Sequence, residues 1–214
     1  MAIPIFAGGV HPGGAFRRWP GGAFAAMDRV MTDRIDQTRG DVGGRKRIAV
    51  VQGARSGDVQ RLFRQFVERW RGDCRIAGVI EQGEDAEDCA GKAARLVNIR
   101  EGASHALFQN LGSGAAACAL DSPGLVAVGE AIRQDILAGC DIAIISKFGK
   151  LEAESRSGLI AAFSAAVEGE VPVLTAVSPR FDEAWSRFAA PLFERLPADP
   201  DAIDQWWRDV RRGA

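Results

Sequence analysis

The chain has 214 residues, 47% of them hydrophobic and 26% charged, with a net charge of -1 and a pI of about 6.2. These values describe an ordinary globular domain, with or without an appendage, and give no electrostatic ground for a nucleic-acid or membrane-surface partner. No apolar run approaches the ~20 residues that cross a bilayer.

The four cysteines (Cys74, Cys89, Cys118, Cys140) form no C-x-x-C pair, so spacing indicates no zinc site; free thiols in a reducing, cytoplasmic compartment are expected. Residues 1–45 carry nine of the 25 glycines and no sustained period. Arg17 and Arg18 precede no unbroken apolar core, because Pro20-Gly21-Gly22 breaks the run directly after them, so a secretory signal is not predicted. The segment is expected to be a flexible or partner-packed arm, a route to a homo-oligomer.

The pattern changes at Arg47. RIAVVQ (47–52) is a β-branched apolar run that predicts a buried strand. A small-residue loop, Gly53 to Gly57, leads to a helix capped by Asp58, in which Val59, Leu62, Phe63, Phe66, Val67 and Trp70 recur at helical spacing. Gly72-Asp73 stops it, and RIAGVIE (75–81) predicts the second strand of a right-handed β-α-β unit. After a polar, acidic loop at 82–94, RLVNIR (95–100) and HALFQ (105–109) flank a glycine turn and predict an antiparallel hairpin. LGSGAAACAL (111–120) reads as a loop, and Pro123 opens a helix with Leu125, Val128, Ile132 and Ile136 on its apolar face. A strand over 141–145 runs into a polar turn, Ser146 to Lys150. Then come a helix over 155–167, a strand over 171–177, an amphipathic helix over 181–192, and a last helix over 200–210. Trp206 and Trp207 are expected to pack that helix on the body or on a neighbouring subunit. The sum is an α/β fold over residues 46–212, a mostly parallel three-layer sheet with an inserted β-hairpin.

In open α/β sheets, ligands bind beyond the carboxyl ends of the strands. Those ends gather Gly53 to Gly57, Glu81-Gln82, Ser146 to Lys150 and Ser178-Pro179-Arg180. A phosphate loop, G-x-x-x-x-G-K-[ST], wraps phosphates with backbone amides and a lysine and holds magnesium with its hydroxyl. GARSGDVQ (53–60) lacks that lysine and hydroxyl, and Asp58 adds negative charge. The Gly53, Ser56 and Gly57 amides with Arg55 still suit an anion at a helix N-terminus; a tight β-α turn needing glycine for geometry alone is the plainer alternative.

The strand at 141–145 ends in Ser146-Lys147 where a metal-binding carboxylate would serve an NTPase. A lysine repels a metal and attracts an anion. Ser146, Lys147 and Lys150 therefore read either as a metal-free oxyanion site or as a solvated charge cluster paired with Glu152 and Glu154. His11, His105 and Cys118 lack recognisable catalytic partners and read as structural.

The runs IISKFGKLEAESRSGL, VPVLTAVSPRF and PADPDAIDQWW resemble an uncharacterised bacterial domain family, whose members often read N-K-F-G-K-x-E and are often encoded near molybdate-transport genes. That family is in turn similar to P-loop nucleoside-triphosphatases, where the segment is closer to D-E-I-G-K-M-E. The resemblance covers roughly 46–210 and implies a P-loop-NTPase-like sheet. Gly53 and Gly57 match the phosphate-loop region, and Gly149, Lys150 and Glu152 match the shared G-K-x-E. Asp58-Val59 and Ser146-Lys147 depart from the nucleotidase pattern, so magnesium-dependent hydrolysis does not carry over.

Three functional readings stand side by side. The first is a degenerate domain binding a small anionic ligand (nucleotide, phosphate or another tetrahedral oxyanion, molybdate included) with weak or no hydrolysis and no protein-bound metal. It uses Gly53, Arg55, Ser56, Gly57, Ser146, Lys147 and Lys150. The second is an active nucleoside-triphosphatase with Glu152 as the catalytic, water-handling residue. The third is a non-catalytic regulatory or assembly protein in molybdenum or metal-cofactor metabolism.

Overall fold

The computed structural model describes residues 45–83, 94–108 and 120–213. Strand β1 is Ile48–Gln52, followed by helix α1, Ser56–Trp70, and strand β2, Ile76–Gln82. Strands β3, Arg95–Asn98, and β4, Ser104–Ala106, form the hairpin, and α2, Ser122–Leu137, leads into β5, Ile142–Phe148. Two helices, α3 at Lys150–Ser155 and α4 at Ile160–Glu168, precede β6, Val173–Val177. A 3-10 turn, Pro179–Phe181, then α5, Asp182–Ala189, β7, Phe193–Pro197, and α6, Pro200–Arg212, complete the fold.

The seven strands form one sheet in the order β4-β3-β2-β5-β6-β1-β7. Five strands, β2 through β7 in that order, run parallel; the β3–β4 hairpin extends the sheet antiparallel from the edge of β2. This is the P-loop-NTPase-like, three-layer α/β fold with an inserted hairpin. Its central strands are covered on both faces, which is why they read as unbroken apolar runs rather than alternations. One face of β1 sends Ala49 and Val51 towards α1 and α6; the other sends Ile48 and Val50 towards α2, α4 and α5. Phe63, Trp206 and Trp207 fill the first layer, and Phe163 and Trp185 the second, all fully buried. Each such side chain contributes roughly 2–3 kcal/mol by leaving water.

Helix termini follow the sequence chemistry. The Asp121 side chain accepts the Gly124 amide at 3.3 Å to start α2, and Asp199 accepts the Ala202 amide at 2.9 Å to start α6. Gly78 in β2 has φ +129, and a Cβ there would lie 1.9 Å from the Ile144 carbonyl oxygen in β5. Only glycine lets these two strands approach.

Several boundaries differ from expectation. Arg55, not Asp58, is the N-cap of α1; Asp58 lies inside the first turn and pairs with Arg61 at 2.8 Å. Strand β5 does not end at Ile145. Its register with β6 shifts between Ile145 and Phe148, so Ser146 and Lys147 belong to an irregular strand end rather than a turn. The helix expected over 155–167 begins only at Ile160, and a separate helix, α3, precedes it, because Arg156 (φ 49) and Gly158 (φ 68) adopt left-handed backbone between the two. The amphipathic segment 181–192 ends early, and FERLP forms an edge strand whose single buried residue, Leu196, gives it almost no apolar signature. Trp206 and Trp207 pack α6 onto the body as expected, with the Trp206 indole N–H donating to the Lys46 carbonyl at 2.9 Å. The arm at 1–44, His11, Cys89 and Cys118 lie outside the described residues.

Candidate functional site

The carboxyl ends of β1, β2, β5 and β6 open onto a cleft of about 530 Å³. Of the predicted site residues, Arg55, Ser56, Ser146, Lys147, Lys150 and Glu152 line it, joined by Glu81, Ser178 and Arg180. Gly53 and Gly57 do not reach its surface. Four cations (Arg55, Lys147, Lys150, Arg180) face it against two carboxylates, Glu81 and Glu152.

The β1–α1 loop is short. Gly53, at φ +93, makes the turn, and a Cβ there would meet nothing within 4 Å, so its requirement is conformational. Helix α1 begins three residues later, and the Asp58 and Val59 amides already bond the Arg55 carbonyl at 3.0 and 3.1 Å. No long amide cradle of the phosphate-loop kind forms, which narrows the expected Gly53–Gly57 seat to the start of α1, where Ser56 and the exposed Arg55 side chain border the cleft.

Gln60, at the end of GARSGDVQ, has a role that spacing does not reveal. It is buried, its Nε2 donates to the Ser146 carbonyl at 2.7 Å, and its Oε1 accepts the Glu81 amide at 2.9 Å. One side-chain amide thus ties α1 to the tips of β2 and β5. The signal was a lone polar residue beside Val59 and Phe63 on the buried face of the helix.

Lys147 is not a free cation. Its ammonium lies 2.6 Å from the Glu81 carboxylate, with side-chain exposures of 38% and 16%. The lysine expected to be offered to an incoming anion lines the cleft and is engaged there by Glu81. Lys150 makes only a 3.9 Å contact with Glu154. Arg180 lies over the Phe181 ring at 4.4 Å, and among the described residues neither it nor Arg55 has a carboxylate partner.

Glu152 occupies a different setting from the one its spacing suggested. It is 7% exposed; Oε2 accepts the Gly149 amide and Oε1 the Leu159 amide, each at 2.9 Å. Gly149 is the N-cap of α3, so Glu152 sits at the third helical position and reaches back in capping geometry. Its second bond anchors the start of α4. Burial raises its carboxyl above the usual range, against the lowering effect of those amides and of Lys147. Gly158 gives it room, since a Cβ there would come within 2.3 Å of Oε1. The carboxylate braces two helix starts, each of its oxygens accepting one backbone amide.

His105 is exposed on β4 and does not line the cleft. Cys74 and Cys140 are half-buried free thiols beside a second cavity of about 430 Å³ at the opposite end of β2 and β5, shared with Arg71, Arg75 and Arg100. Burial pushes the Cys140 thiol up to about 11 and raises Cys74 too, so both are poor nucleophiles. Among the described residues no group of three His, Cys, Asp or Glu side chains is arranged for a metal, and no helix is long and apolar enough to cross a membrane.

A family described as "Protein of unknown function (DUF2478)" matches residues 48–206, from β1 into α6. A curated relative, the "Molybdenum import ATP-binding protein ModC 2" of Bradyrhizobium diazoefficiens, is 34% identical over 170 residues, 77% of this chain. The match takes in 18% of that relative, so the chain spans less than a fifth of its length. No solved structure matches. With three quarters of its length matched by the family, and the P-loop-like sheet falling within that match, the chain belongs to the DUF2478 family.

Proposed function

We propose that this chain is a degenerate P-loop-like domain that binds a nucleotide, phosphate or another tetrahedral oxyanion, molybdate included, with weak or no hydrolysis. One observation carries the reading: cations without carboxylate partners among the described residues, Arg55 and Arg180, face the strand-end cleft, while the groups nearest the lost metal-phosphate apparatus are committed internally. Gln60 is held by backbone, Lys147 by Glu81 and Glu152 by two amides. Anion attraction survives in this arrangement, and water activation has no evident agent. Arg55, Ser56, Ser146, Lys147 and Lys150 remain the proposed contacts, Lys147 through whatever donor capacity Glu81 leaves it, with the Gly53–Gly57 turn setting the start of α1. Calorimetric titration of ATP, GTP, phosphate and molybdate, each with and without magnesium, tests this. Binding of at least one, indifferent to magnesium, is the expected result; no heat with any would sink the proposal.

A second reading has its own support. The curated relative is several times longer than this chain, and the shared segment is a small part of it. A domain carried within a protein named for molybdenum import and ATP binding suits a regulatory or assembly role in molybdenum metabolism. In this reading residues 1–45 form a docking arm, and the half-buried free thiols accord with a cytoplasmic setting. Light scattering on the full chain and on a chain lacking residues 1–45 tests self-assembly through the arm. An unchanged mass would reject it.

A further inference from the structure

The cleft has two walls of different chemistry, built by different parts of the chain. The ends of the parallel strands supply charge: Arg55 after β1, Lys147 in β5, Lys150 in α3 and Arg180 after β6. The inserted hairpin and its flanks supply an apolar wall: Leu96 on β3, Leu107 and Phe108 after β4, and Leu120 and Leu125 at the start of α2, with Phe181 beyond β6. Leu96 and Leu107 are almost fully covered, while Phe108, Leu120 and Phe181 keep part of their surface towards the cleft.

We infer that the occupant of this cleft is an amphipathic anion, an aromatic or apolar body joined to a phosphate-like group, rather than a bare tetrahedral oxyanion. This rests on the anion-binding reading above and narrows it. Size is the first argument. About 530 Å³ lies within the ~300–1,000 Å³ of small-molecule sites, whereas a tetrahedral oxyanion displaces only a few water volumes of about 30 Å³ each. Chemistry is the second. A bare oxyanion satisfies the cations and leaves the hairpin wall wet, while an attached ring covers Phe108 and Phe181 and removes that apolar surface from water. The Arg180 guanidinium carbon already lies 4.4 Å from the Phe181 ring centre, which places a cation next to the apolar wall, where anionic head and ring would join.

Four probes on the full chain without magnesium test the inference: ATP, inorganic triphosphate, molybdate and the aromatic sulfonate 8-anilinonaphthalene-1-sulfonate. ATP should bind at least about tenfold more tightly than triphosphate or molybdate, since covering one ring is worth that factor or more. The sulfonate should bind and be displaced by ATP. Phe108→Ala, and independently Phe181→Ala in case the first unfolds, should weaken ATP and the sulfonate about tenfold and leave triphosphate unchanged, with thermal melting confirming that the variants are folded.

Triphosphate or molybdate binding as tightly as ATP, or phenylalanine variants that weaken all probes equally, would overturn the amphipathic class and leave the oxyanion reading standing. Silence from all four probes would remove both. Binding of the sulfonate alone would keep the class and exclude nucleotides from it.

Discussion

Strands β2 and β5 carry an oppositely charged pair at each of their ends, and the two pairs behave differently. At the amino end Arg75 meets Asp141 at 3.0 Å, with side chains 69% and 41% exposed. At the carboxyl end Lys147 meets Glu81 at 2.6 Å, with exposures of 38% and 16%. The first pair sits in water, where Coulomb attraction is screened and little is gained. The second sits on the cleft floor beside the Gln60 strut, where removing one partner strands the other in a poorly solvated place. The same kind of pair, with its signs exchanged between the two strands, thus serves as trim at one end and as part of the cleft's construction at the other.

The largest test of that contrast lies between the ends. Gly78→Ala puts a methyl group into the Ile144 backbone and should cost more than about 4 kcal/mol, parting β2 from β5 and destroying both ends together. Failure to recover folded protein, or collapse of the melting transition, is the readout. Gln60→Leu keeps bulk but leaves the Ser146 carbonyl and Glu81 amide without partners. A loss of about 2–4 kcal/mol in denaturant unfolding is expected, since each orphaned buried group costs ~1–3 kcal/mol.

Lys147→Met should destabilise by roughly 1–2 kcal/mol, because Glu81 stays behind, and adding Glu81→Gln should restore most of it. Arg75→Ala should cost under about 1 kcal/mol, with Asp141 keeping the residue-75 backbone amide and its other oxygen taken up by water. Equal effects from these last two substitutions would erase the distinction between the ends.

The pH dependence separates the ends by sign. Glu152 has its pKa raised, chiefly by burial, so the native state holds its proton more tightly than the unfolded chain. Its contribution is fully present below the unfolded carboxyl value and is lost as pH rises through the raised one. Asp141 has its pKa lowered by hydrogen bonds from the Arg75 side chain and backbone. Its contribution is present above the unfolded value and is lost as pH falls through the lowered one. Unfolding midpoints across the acid range should therefore show Glu152→Gln flattening the decline on the rising side and Asp141→Asn flattening the acid limb. The Glu152→Gln change also turns one amide-accepting oxygen into a donor facing a donor. Any drop in activity of that variant has to be read beside its melting temperature.

The sheet was legible because β1, β2, β5 and β6 are central strands whose both-faced burial forces unbroken apolar runs. Strand β7 was not, since an edge strand with one buried leucine and a terminal proline looks like the tail of the helix before it. Topology brings six of the eight predicted site residues to one cleft. Their state was another matter. Spacing places Lys147 and Glu81 at neighbouring strand ends but does not say that they meet. Glu152 reaches back to the Gly149 amide, a capping role that a glycine N-cap does not announce in sequence, and the catalytic meaning attached to it came from resemblance. The apolar wall escaped notice because nothing in RLVNIR says that it will lie antiparallel against β2.

The Gln60 strut bears on how the cleft responds to an occupant. Its two bonds fix the amide in one orientation and lock the start of α1 to two strand tips, so these three pieces shift together or not at all. Adaptation to a ligand then falls to side chains such as Arg55, Lys150 and Phe108. The Glu81 amide hydrogen, held by Gln60, becomes a local reporter of that rigidity, exchanging slowly with solvent for as long as the three tips stay joined.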